Sequence, residues 1–106
     1  MSNSSEIKQR WPYISSMIIG MELDFVNQFM DNELANSAME AMQEKLEVAR
    51  SKGRGGWYCE NCSTEKLRSM LKEHVDKGDM RDVMNIAAMI YYRESAGIGE
   101  KQSESN

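Results

Sequence analysis

The sequence predicts an all-α fold, a small four-helix bundle-like domain ending in an αα-hairpin, on three observations. Apolar residues recur at helical spacing through every long segment, as in Leu67, Met70, Leu71, His74 and Val75. Strand-like alternation is missing, β-branched residues are few and there is one proline. Helix start and stop signals also fall at the segment ends: Ser63 as an N-cap, Gly78 as a left-handed stop, and Asp79 as the next N-cap. At 106 residues the chain is long enough for one small core.

Taken in order, residues 1–10 are polar and read as a disordered tail. The helical domain is expected over 11–95, followed by a disordered tail over 96–106. Trp11-Pro12 opens the first helix, since proline is tolerated in a first turn. Ile14, Met17, Ile18, Met21, Phe25 and Phe29 form its stripe, which is apolar enough to be central to the bundle or half of a homodimer seam. Asp31 and Asn32 are expected to end that helix and cap the second, with Ala35, Ala38, Met39, Met42, Leu46 and Ala49 as its buried face. Gly53 stops it. The glycine-rich loop Gly53-Arg54-Gly55-Gly56-Trp57 runs into Cys59-x-x-Cys62. The hairpin follows, its last helix expected to bury Val83, Ile86, Ala87, Ile90 and Tyr91. The helices are predicted at roughly 12–30, 33–52, 63–77 and 79–94.

Charge narrows the function. A net charge of −4 and a pI near 5.0 argue against a nucleic-acid binder and against attachment to anionic membranes. No run approaches a transmembrane span, and MSNSSEIKQR lacks the basic-then-apolar order of a signal peptide, so a cytoplasmic location with reduced cysteines is expected. Ten methionines suit an adaptable core, or a partner surface.

Three features are candidates for chemistry. Carboxylates at i and i+3 share a helix face, so Glu44-x-x-Glu47 and Asp79-x-x-Asp82, fed from two helices, have the hard oxygen donors that Mg²⁺ or Mn²⁺ takes beside a phosphate. Glu73, Asp76 and Asn85 extend that acidic set, while helix capping and a solvated face account for the same residues without a metal. His74 lies on an apolar stripe, where it is either a core residue or an acid/base group. Cys59 and Cys62, with one histidine in the whole chain, are too few ligands for a closed zinc site, and no βαβ pattern surrounds them for a redox pair. Arg54 and Trp57 offer a cation and a flat ring to a nucleotide, or else Trp57 simply packs over the hairpin.

Residues 53–93 carry the pattern GRGGW, a cysteine before a helix, then EHV-x-KGD-x-x-DV-x-N: Gly53–Trp57, Cys62, Glu73, His74, Val75, Lys77, Gly78, Asp79, Asp82, Val83 and Asn85. This stretch resembles a group of small proteins of bacteriophages and prophages of enteric bacteria. With the short acidic chain, the methionine surplus, the apolar N-terminal helix and the lack of a complete catalytic motif, this points to a non-enzymatic phage accessory protein in the host cytoplasm that binds a host or phage protein. The hairpin is also distantly similar to the all-α MazG-like and dATP/dGTP nucleoside triphosphate pyrophosphohydrolases, which place an ExxE and an ExxD pair around Mg²⁺. This second similarity implies Glu44, Glu47, Asp79 and Asp82 as Mg²⁺ ligands, Glu73 or His74 as base, and Arg54, Trp57 and Asn85 as nucleotide contacts. Here Asp79 replaces the family's Glu, and Glu44 and Glu47 lie further upstream than the family's first pair.

Overall fold

Four α-helices and no strand make up residues 4–99, which a computed structural model of the chain describes: α1 (Ser4–Met17), α2 (Leu23–Ser51), α3 (Thr64–Lys77) and α4 (Met80–Ala96). The all-α class expected from the periodicity is therefore the observed one. Residues 1–3 and 100–106, parts of the two expected tails, lie outside the described residues. The chain divides into two compact units, Met1–Glu44 and Lys45–Asn106, with the boundary inside α2.

In the first unit the helix break is displaced from its expected place. The sequence puts it at Asp31 and Asn32, but α2 runs through both without interruption. Both side chains are exposed, and a polar residue in a helix interior costs only a few tenths of a kcal/mol. The break falls instead at Gly20, which costs about 1 kcal/mol in a helix. There α1 tightens into a 3₁₀ turn, Ile18–Gly20, and Met21 leaves it extended at φ −96°, ψ 158°. The Val26 N–H then donates to Glu22 O and closes the first turn of α2.

The start of α1 also differs from expectation. Residues 4–10, read as a disordered tail, are helical, and Pro12 sits inside the helix rather than in its first turn. Arg10 gives the physical reason. Its Nε and Nη2 donate to Glu33 Oε2 at 3.2 and 3.0 Å, and Nη2 also reaches Ser37 Oγ at 3.0 Å, tying α1 to α2. Within this unit, Ile14 and Ala41 are the buried apolar residues among those described.

The second unit has the denser core. Leu67 of α3 meets Ile86 and Ile90 of α4, with Cys62, Met70, Leu71 and Met89 packed around them. The hairpin is built as the local signals predict. Ser63 Oγ accepts from Lys66 N at 2.9 Å, and Gly78 takes the left-handed conformation at φ 84°. The Asp79 carboxylate then accepts from Arg81 N at 3.2 Å. The buried stripe of α4 is rotated from the expected one: Ala87 and Tyr91 are exposed, and the line Val83, Ile86, Ile90 continues into Arg93.

The end of α2 is a Schellman stop. Gly53 N donates to Arg50 O at 2.9 Å and Arg54 N to Ala49 O at 2.9 Å. The loop beyond it turns twice, through Cys59 N to Gly56 O and Cys62 N to Cys59 O. No described helix is long and apolar enough to cross a membrane.

Candidate functional site

The acidic residues of the hairpin converge on a lysine. Lys45, in the last two turns of α2, places its Nζ 3.3 Å from Asp82 Oδ1 and 3.5 Å from Asp79 Oδ2. His74 Nδ1 stands 3.6 Å from Asp82 Oδ2, within ion-pairing range and just outside hydrogen-bonding range. The two carboxylates are thus brought together as the i, i+3 spacing predicts, but an ammonium lies where a divalent cation would sit. Among the described residues, no three His, Cys, Asp or Glu side chains group to hold a metal. Glu47 is exposed and joins no such group; Glu44 is half-buried, its Oε1 shielded from solvent without a hydrogen-bond partner. These residues do not fit a Mg²⁺ centre.

Capping accounts for the pair. Asp79 caps α4 through Arg81 N, and Asp82, three residues on, turns its carboxylate to Lys45 and His74. Partial desolvation by itself would raise the Asp79 pKa. Hydrogen bonding with the Asp82 side chain and backbone, and the Lys45 ammonium, outweigh it and hold the carboxyl below its ordinary range. Because the folded-state pKa is the lower one, the stabilisation is complete above the unfolded carboxylate range. It is lost as pH falls through the folded value. Asp79→Asn is therefore expected to keep the cap and flatten the acid side of the stability profile. Asp79→Ala loses the cap at every pH. Urea midpoints measured from about pH 7 down to about pH 2, through and below the ordinary carboxylate range, check both.

The remaining candidates are not gathered into one place. Glu73 and Asp76 are exposed on α3, and Arg54 is exposed in the loop. Trp57 meets Tyr92 edge-on at 5.6 Å and Tyr58 at 5.5 Å, so its ring packs against α4. Asn85 is buried on α4 at 6% exposure. Cys59 is exposed, Cys62 half-buried, and both are free thiols.

The residue that organises this region is Arg93, which the sequence reading left out of the site. It is fully buried. Its Nη1 donates to Trp57 O at 2.7 Å and Cys59 O at 2.9 Å, its Nη2 to Cys62 O at 2.6 Å, and its Nε to Thr64 Oγ1 at 3.0 Å. One planar fork thus satisfies three loop carbonyls and the first residue of α3. The available signal was its register. Arg93 lies at i+10 from Val83 on the line through Ile86 and Ile90. A charged residue in line with an apolar stripe is a candidate buried anchor.

Most of the exposed large apolar side chains among the described residues lie in the first unit. Ile19 is 83% exposed, Tyr13 79%, Leu23 74% and Leu34 71%, and Trp11, Met17, Phe25 and Met39 are each about half exposed. Large apolar side chains exposed to this degree make α1 and the first half of α2 the candidate surface for a partner.

No protein family, curated protein or solved structure matches this chain.

Proposed function

We propose that this chain is a small acidic accessory protein, of the bacteriophage kind its hairpin resembles, that acts in the host cytoplasm by binding a host or phage protein and has no catalysis of its own. The observation that carries this reading is the uncovered apolar surface of α1 and α2, from Trp11 to Met39. Burial of apolar area drives most protein association, and these exposed aromatic and aliphatic side chains offer such area to a partner. The hairpin serves as the folded base: its capped helices, buried core and Arg93-held loop are occupied with structure.

The alternative reading, a Mg²⁺-dependent nucleoside triphosphate pyrophosphohydrolase, draws on the proximity of Asp79, Asp82 and His74. Lys45 weighs against it, since a metal would have to displace an ammonium already paired with both carboxylates.

Titration calorimetry with Mg²⁺ and a non-hydrolysable deoxynucleoside triphosphate separates the two. No binding heat is expected. Affinity capture from a lysate of an enteric bacterium should instead retain a stoichiometric partner that a Leu23→Ser/Leu34→Ser variant loses. Metal-dependent nucleotide binding that disappears in Asp79→Ala/Asp82→Ala would overturn the accessory reading.

A further inference from the structure

The charge of this chain is unevenly placed. Residues 1–44 carry seven Asp and Glu against Lys8 and Arg10, a net −5; the whole chain carries −4, so residues 45–106 carry +1. All of the net acidity therefore lies on the unit that also leaves its apolar side chains in solvent. The two properties meet on α2. Leu23 and Leu34 stand at i and i+11 on one side of the helix, both exposed, with the polar Asn27 between them. Asp24 and Asp31 run beside them, one residue on from Leu23 and seven apart. Asp24, Asn27, Gln28, Asp31 and Asn32 line a shallow open depression on that side. The result is a pair of exposed leucines beside two carboxylates and a polar depression.

Resting on the protein-binding reading above, we infer that residues 4–44 dock onto a protein surface that is itself basic and apolar. Charge selects this occupant. A phosphate backbone and an anionic lipid surface both share the sign of this unit and are repelled. A second copy would set −5 against −5 around any shared apolar seam. A surface that surrounds apolar pockets with Lys and Arg meets both features at once. The exposed leucines give affinity, and the carboxylates speed encounter and fix orientation.

The test is an NMR titration of the ¹⁵N-labelled chain with a short helical peptide of Leu and Lys, and with its twin carrying Glu for Lys. Binding of the Lys peptide is expected to shift amides of residues 4–44, and the twin is expected not to bind. Affinity should fall by on the order of tenfold between about 50 and 300 mM salt. Leu34→Ser and Asp24→Asn/Asp31→Asn should each weaken it several-fold; both change exposed side chains, so the fold is kept. Shifts confined to residues 45–99, or equal binding of the Glu twin, would overturn the inference. So would sedimentation of the free chain as a dimer that Leu34→Ser dissociates, since a second copy would then be the occupant. Each of these results leaves the lysate capture standing, so a wrong partner chemistry is distinguishable from the absence of any protein partner.

Discussion

Replacing Arg93 by methionine is expected to destabilise the hairpin unit by roughly 3–5 kcal/mol, because Trp57 O, Cys62 O and Thr64 Oγ1 lose the guanidinium donor at once and Cys59 O is left with the Cys62 N–H. Trp57 O, Cys59 O, Cys62 O and Thr64 Oγ1 all accept from this one guanidinium. Methionine keeps much of the aliphatic volume and supplies no donor. A cost of that size is comparable to the whole stability of a small domain. Arg93→Lys is expected to recover part of it. An ammonium offers three donors from one point, whereas the guanidinium spans four acceptors with a rigid fork. Urea denaturation followed by circular dichroism gives the size of the loss. Tryptophan fluorescence in a Trp11→Phe background reports the loop, since Trp57 packs against Tyr58 and Tyr92 and its carbonyl accepts from Arg93. An Arg93→Met variant with an unchanged midpoint and unchanged Trp57 emission would show that water replaces the fork at little cost.

The second large effect is expected at Leu67. It is 4% exposed and is the α3 side of a cluster whose other members, Ile86 and Ile90, both lie on α4. Leu67→Ala should cost about 2–5 kcal/mol, the transfer term plus the cavity left between two helices. So few fully buried residues leave little else to hold the hairpin, and the partly exposed Met70, Leu71 and Met89 around the site can only partly collapse into the space. Hydrogen exchange should show α3 and α4 amides losing protection together. Combining Leu67→Ala with Ile90→Ala should cost less than the sum of the two, because they share one cavity. Strict additivity would mean that the two side chains do not pack as one cluster.

The hairpin was legible in the sequence because its instructions are local. Ser63, Gly78 and Asp79 each act within a few residues of themselves, through a hydroxyl, a free φ and a carboxylate, and each takes its expected part. The break between α1 and α2 was misplaced because two weak signals compete there. Asp31-Asn32 looks like a turn in a string of letters, but both side chains reach water from a helix at little cost; Gly20 has no such escape. The disordered reading of residues 4–10 failed for a different reason. Their helix is held by Arg10 reaching Glu33 and Ser37, more than twenty positions away.

For the candidate site, spacing alone predicted that Asp79 and Asp82 would share a face, and they do. What stands between them was decided by packing. Lys45 arrives from α2, 34 residues before Asp79, and turns a pair of carboxylates from a cation site into an ion-paired helix cap. Arg93 carries the same lesson in the opposite direction. A charge at the end of a helix reads as a solvated residue, and only the return of the loop over α4 buries it. By itself, then, the sequence determined the all-α class, the hairpin and its caps, since these depend on periodicity and on neighbours within one turn. The tertiary structure alone decided which charges are paired and which apolar residues stay in water, because both depend on side chains that meet only after the chain has folded back on itself.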